Sequence, residues 1–326
     1  MLCIHSPNTD IFFNLAAEEY LFKNYSEDFF MLWRNEPCIV VGKHQNTMAE
    51  INHNFVDENR VRVARRLSGG GTVYHDEGNL NFTFITKGQE GRLVDFKKFI
   101  DPVQNWLLKH GVETKFEGKN NVTVSGRKIS GNAEHVFKNR VLHHGTLLYA
   151  SELGKLSEAL KVDLNTYTDK AVKSIRNPVT NISDYMDTEM SIEDFQESLM
   201  DDIKQVNVDS ANFVFSQHDL GEIQDLIKEK YSSWDWIYGY SPPYTFSKTT
   251  EIRSKYLSVW LKVERGFISE AILEGNYYDN ETNTQLGKSL VSQLHKLSSI
   301  TTVFESSFNR EKDSMLSRQE LISIFF

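Results

Sequence analysis

The chain has 326 residues, 40% hydrophobic and 25% charged, with a net charge of −9 at pH 7. These figures are typical of a soluble globular protein and fit one large domain or two unequal ones. The acidic balance argues against broad, nonspecific nucleic-acid binding, which needs a basic surface, but leaves room for a local basic pocket. Two cysteines, Cys3 and Cys38, are too few for a disulfide framework or a zinc cluster, so a reducing, cytoplasmic setting is expected. Residues 1–30 show no basic segment followed by an apolar core, and no apolar run approaches the roughly 20 residues of a membrane span.

In chain order, Asn14–Lys23 reads as an amphipathic helix that Asn14 can cap. Phe30–Arg34 and Cys38–Gly42 read as strands around Asn35-Glu36-Pro37. Ala49–Asn59 is expected to be helical, and Val61–Ala64 to be a strand leading into a glycine loop. Leu80–Ile85 alternates as a strand with one mainly apolar face. Phe96–Lys109 has helical spacing and Gly111 stops it. Val122–Val124, Ser125-Gly126 and Arg127–Ile129 form a hairpin signal. Val141–Tyr149 predicts a strand, Leu153–Leu160 a helix, and 190–231 mainly helix. Trp234–Tyr244, centred on Ser241-Pro242-Pro243, reads as a loop, with a domain boundary near Phe246. Tyr256–Lys262 and Phe267–Glu274 suggest a hairpin; Gly287–Leu297 and Ser317–Phe326 suggest helices. Many hairpins and few regular βαβ units point to an α+β or mixed α/β fold.

The chemistry concentrates in Arg65-Arg66-Leu67-Ser68-Gly69-Gly70-Gly71-Thr72-Val73-Tyr74-His75-Asp76. Consecutive glycines allow positive φ and close approach of backbone N–H groups to an anion, and flanking guanidiniums add planar donors. The run is neither a dinucleotide fingerprint nor a Walker loop. A turn that only connects strands is the plain alternative, though such a turn has no use for four ionisable side chains. A second segment, Gly118 to Ala133, contains Gly126-Arg127-Lys128-Ile129-Ser130-Gly131-Asn132-Ala133, and a third is His143-His144-Gly145-Thr146-Leu147-Leu148. Lys128 on a rigid strand could hold its ammonium against oxygens that gain negative charge. Read alone, it is better taken as an exposed hairpin lysine beside Arg127.

In this order and spacing the three runs resemble the lipoate–protein ligase A family. Phe13-Asn14-Leu15-Ala16 with Glu18-Glu19, Leu32-Trp33-Arg34-Asn35, Val41-Gly42-Lys43-His44-Gln45-Asn46, Val61-Arg62-Val63-Ala64, Val179-Thr180-Asn181-Ile182 and Trp234–Phe246 extend the likeness over residues 10–246. The resemblance implies a biotin/lipoate ligase-like (class II synthetase-like) α+β catalytic domain, residues 1–246, with mixed, mainly antiparallel sheets. A small α+β accessory domain, 247–326, would follow. It further implies ATP-dependent activation of lipoate to lipoyl-AMP. Transfer would then follow to a lysine of lipoyl carrier domains: 2-oxoacid dehydrogenase E2 subunits and glycine cleavage H protein. Neither nucleic acid nor membrane is an expected partner.

On the family pattern Ser68, Gly69, Gly70, Gly71, Val73 and His75 would line the adenylate pocket, and Arg66 would sit near acyl and phosphate oxygens. Lys128 would be the catalytic residue, Ala133 and Thr146 would border the ligand, and Asn120 and Asn121 would lie near nucleotide and metal. ATP and Mg²⁺ are the implied cosubstrates. The family commonly has Asp where this chain has Asn121, so Asn121 offers Mg²⁺ only a neutral carbonyl. Leu15, Trp33, Val41 and Leu67 are candidates for an apolar slot, or ordinary core. An ATP-independent octanoyl or lipoyl amidotransferase would need a nearby cysteine nucleophile, and none occurs after Cys38. A biotin ligase and a noncatalytic carrier-binding paralogue are the remaining alternatives.

Overall fold

A computed structural model describes residues 1–88, 93–163, 165–308 and 316–326. They form two compact units, each assembled from three stretches: 1–43, 62–157 and 174–233; and 44–61, 158–173 and 234–326.

The first unit is built on an eight-stranded mixed sheet, in the order 211–212, 2–5, 29–34, 79–87, 140–148, 127–137, 121–124, 115–117. Pairing is parallel among the first three strands and antiparallel across the rest. The apolar run Phe29–Trp33 is buried along its whole length, as expected of a central strand covered on both faces. Asn79–Lys87 is likewise buried up to Thr86 rather than presenting one wet face. A smaller three-stranded sheet, in the order 62–65, 38–41, 73–75, carries the glycine loop between two of its strands. The helix Phe96–Lys109 packs Phe99, Ile100, Val103, Trp106 and Leu107 into the core.

The helix read from Asn14 begins earlier, at Ile11, and runs to Asn24. Asp10 is its cap, accepting the Phe12 N–H at 2.8 Å. Asn14 is therefore an interior, fully buried residue. The hairpin read at Ser125-Gly126 is present, both residues taking positive φ (49° and 75°) as a tight two-residue turn requires.

The second unit is a four-stranded antiparallel sheet, in the order 167–169, 244–252, 255–264, 267–275. Its core includes Phe246, Leu257, Leu261, Phe304 and Phe325. Three sequence readings fail here. Ala49–Asn59 is two short helices, Thr47–Glu50 and His53–Glu58, because Ile51 is extended and Asn52 caps a fresh start. The helix read at Gly287–Leu297 is displaced: Asp279 caps Asn280–Leu290, Ser292 takes φ of 68°, and the next helix starts at Leu297. The Trp234–Tyr244 loop contains a wide helical turn, Asp235–Gly239. The strand Tyr244–Ile252 runs through position 246.

Candidate active site

Ser68-Gly69-Gly70-Gly71 leaves the strand Arg62–Arg65 and turns back toward Val73–His75. Only the middle glycine needs its freedom: Gly70 has φ of 92°. A side chain on Gly42, in the neighbouring strand-end, would meet the Gly70 carbonyl oxygen at 2.1 Å. The loop therefore lies directly on bare backbone.

Arg66, expected to sit near acyl and phosphate oxygens, grips this loop. Its Nη2 donates to the carbonyls of Gly69 and Gly71, both at 2.7 Å, its Nη1 to Val40 O at 3.1 Å, and its Nε to Ser68 Oγ at 3.1 Å. Four of five guanidinium N–H groups are thereby used inside the protein. Burial pushes the guanidinium down to about 10, and it stays charged at neutral pH. Arg65, fully buried, similarly donates to the carbonyls of Gly42 and Lys43.

Ser68 continues the chain of contacts. Its Oγ lies 2.6 Å from His144 Nε2, and His144 Nδ1 lies 3.0 and 3.1 Å from the two Glu18 carboxylate oxygens. Thr83 Oγ1 donates to Glu18 at 2.5 Å and accepts the Trp33 indole N–H at 2.9 Å. The consistent assignment puts the imidazole proton on Nδ1, facing the carboxylate, and makes Ser68 a donor to Nε2. Motif spacing does not single out Glu18 or Thr83 as a site residue. The available signal was a glutamate following Leu15-Ala16-Ala17 on the buried side of a helix.

His75 is 3% exposed, and burial followed by the charge of Arg66 holds it neutral, down at about 3. Its Nδ1 accepts from Asn35 Nδ2 at 2.8 Å, and Asn35 in turn accepts from Asn14 at 2.9 Å. The proton therefore sits on Nε2, a buried donor with no partner among the described residues. Asp76 does not serve His75. It fixes the following turn by accepting the N–H groups of Gly78 and Glu152. Trp33 lies edge-on to His75 with ring centroids 6.1 Å apart. Leu15, Val41 and Leu67 are buried like Trp33.

Lys128 stands at the start of the strand Arg127–Phe137. Its backbone donates to Pro178 O at 2.8 Å and accepts from the Thr180 N–H at 3.1 Å. The Nζ lies over Gly131, where an added Cβ would be 2.8 Å away. The Gly131 N–H donates to Thr146 Oγ1 at 3.1 Å, which brings Thr146 to the same spot. No carboxylate pairs with Lys128 among the described residues. Burial, with Arg66 adding repulsion, lowers its ammonium to about 8. Ser174, upstream on the segment that pairs with Lys128, accepts the Thr72 N–H at 2.8 Å. The stretch 174–180 thus touches both the glycine loop and the lysine strand.

Ala133 pairs with His144 across the sheet, and Val73 with Val40. Asn120 is locked to Asn132, its Nδ2 donating to Asn132 O at 2.7 Å. Asn121 begins a strand, is half-buried and pairs with Gly131. Among the described residues no three His, Cys, Asp or Glu side chains gather to hold a metal. His143 packs in an aromatic cluster with Phe82 and Phe99 and bonds to Glu134, which makes it structural. No helix of the described residues is long and apolar enough to cross a membrane.

A family model, the lipoyl protein ligase A/B catalytic domain, matches residues 10–204. The lipoate–protein ligase LplJ of Bacillus subtilis is 36% identical over the whole of both chains. A solved structure of Plasmodium falciparum LipL1 with lipoate is 26% identical, covers 93% of this chain and 94% of that one, and superposes with a TM-score of 0.64. A lipoate–protein ligase A crystallised with ATP shares the fold (TM-score 0.62, 23% identity, 73% of this chain and 98% of that one). The site of the glycine loop and Lys128 lies inside the matched residues, and the chain belongs to the lipoate–protein ligase family.

Proposed function

We propose that the protein is an ATP-dependent, AMP-forming lipoate–protein ligase. A carboxylate oxygen of lipoate attacks the α-phosphorus of ATP and pyrophosphate leaves, giving the mixed anhydride lipoyl-AMP. A lysine amine of a carrier then attacks the acyl carbon, loses its proton, and AMP leaves with the anhydride oxygen. The first step must hold two anions together, so it needs cationic and N–H donors fixed before the substrates arrive.

Lys128 is the group that carries this reading. It is a half-buried ammonium with no counterion among the described residues, a state that costs stability and that an incoming carboxylate or phosphate would relieve. The role of Arg66 becomes indirect. It grips the loop carbonyls, so that Ser68, Gly69, Gly70, Gly71 and Val73 form a rigid wall for the adenylate. His75 Nε2–H supplies a neutral donor beside Trp33, and Ala133 and Thr146 border the ligand near Lys128. Asn120 acts through Asn132. Asn121 gives Mg²⁺ at most a neutral oxygen, so in our reading the ion enters on the nucleotide phosphates.

The acceptors on this reading are the lipoyl domains of E2 subunits and the glycine cleavage H protein. The catalytic chemistry resides within residues 1–246, with an accessory role for 247–326. Lipoate-stimulated exchange of pyrophosphate into ATP tests the activation step: a ligase shows it, whereas an amidotransferase or a noncatalytic paralogue does not.

A further inference from the structure

The first unit carries a lysine cluster that the chemistry above does not use. Phe137, the last residue of the strand Arg127–Phe137, is 37% exposed. Two ammonium groups lie over its ring, Lys23 at 5.7 Å and Lys138 at 5.3 Å from the centroid. Phe22 supports the ring from the helix below, its centroid 6.2 Å from Phe137 and 5.7 Å from His135.

One helical position before Tyr20, Glu19 is buried and accepts from Lys23 (2.5 Å), Lys230 (2.6 Å) and the Tyr231 hydroxyl (2.6 Å). Three lysines thus flank the two groups, Lys23 and Lys230 at the buried carboxylate and Lys23 and Lys138 at the exposed ring. These ammonium groups gather although the chain as a whole is acidic, at −9. An exposed ring with a cationic rim has the anatomy of a protein-binding anchor. Phe137 lies four residues along its strand from Ala133, which pairs with His144, the residue that contacts Ser68 of the glycine loop.

We propose that Phe137 and its lysine rim form the docking surface for an acidic face of the protein that accepts the acyl group. This rests on the ligase reading above, which requires a protein to reach the glycine loop and Lys128. A carboxylate-bearing surface suits the isolated ring and flexible ammonium groups. A nucleic acid would ask for a longer basic stripe to follow its phosphates.

The test uses the full chain, the Lys138→Glu variant and the double variant Lys23→Gln/Lys138→Glu, with the lipoyl domain of an E2 subunit as acceptor. We expect the KM for the lipoyl domain to rise about tenfold in the double variant at nearly constant kcat, and the salt dependence to flatten. Pyrophosphate exchange, which involves no acceptor, serves as the control. An unchanged KM, or a loss confined to kcat, overturns the proposal. Should the wild type show no lipoate-stimulated exchange, the ligase reading fails. Direct titration with the lipoyl domain then still decides the surface: weaker binding by the double variant upholds it and equal binding refutes it. A single-stranded oligonucleotide that binds the wild type but not the variants, with acceptor binding unaffected, also refutes it.

Discussion

Ser68 Oγ and His144 Nε2 lie 2.6 Å apart, and this contact joins the glycine loop to the central sheet. It sits in the middle of a polarised chain that starts at the Arg66 guanidinium and ends at the Glu18 carboxylate. Each donor along the chain points the same way, so every hydrogen bond strengthens its neighbours. The arrangement looks like a nucleophile relay, but Arg66 Nε occupies Ser68 from the other side, which makes Ser68 an anchor for the loop.

Glu18→Gln tests that chain. An amide cannot accept from both Thr83 and His144 without leaving its own N–H groups unpaired, and it no longer fixes the imidazole tautomer. Stability should fall by about 1–3 kcal/mol, the cost of a broken buried polar contact. Pyrophosphate exchange should fall by roughly 10–100-fold, in line with losses seen when a supporting contact is removed. Thermal unfolding and exchange kinetics on the same preparation check both. A variant with wild-type values would mean the loop is held by Arg66 alone.

The pH dependence of exchange should report Lys128. Burial lowers its ammonium to about 8, and the proposed role needs the charged form. The kcat/KM for lipoate should therefore decline as pH rises through about 8. In Lys128→Arg the cation persists to far higher pH, so whatever activity remains should lose that alkaline limb. His75 stays neutral down to about 3 and contributes no limb in the working range.

Gly42→Ala should disable the loop from outside the glycine triplet. The new methyl group would meet the Gly70 carbonyl oxygen at 2.1 Å, and Gly70 O cannot retreat without pulling on the Arg66 grip. The expected cost is about 2–4 kcal/mol, typical of overpacking against backbone. Exchange activity should be lost more completely than the stability change explains. Calorimetry and exchange rates together give the comparison.

The regular elements of the first unit were legible because their patterns are local. Phe96–Lys109 and the Ser125-Gly126 hairpin carry their own periodicity and turn chemistry. Residues 44–61 and 158–173 were not legible as members of the second unit, because membership depends on contacts distant in sequence. For the same reason a truncation after Phe246 is a poor probe of the accessory role: it removes two strands and most of a third from the four-stranded sheet and leaves these segments without their partners. Motif spacing offers Lys128, Ser68 and His75 as candidates. It could not show that Arg66 faces the loop or that His75 bonds to Asn35 rather than to its neighbour Asp76. Side-chain direction at a strand end is set by packing that the sequence does not display.

The most direct test of the account is pyrophosphate exchange by Lys128→Met. The folded protein holds this lysine's proton only up to about 8, whereas the unfolded chain holds it to about 10.4. Stability therefore rises with pH between those values, and below about 8 the folded state bears the full cost of the buried charge. At pH 7 the Met variant should thus be at least as stable as the wild type. Lipoate-stimulated exchange should fall by about a thousandfold, the loss expected when a preorganised charge at the reacting oxygens is removed. A well-folded Lys128→Met protein that exchanges pyrophosphate at a near-wild-type rate would contradict the account.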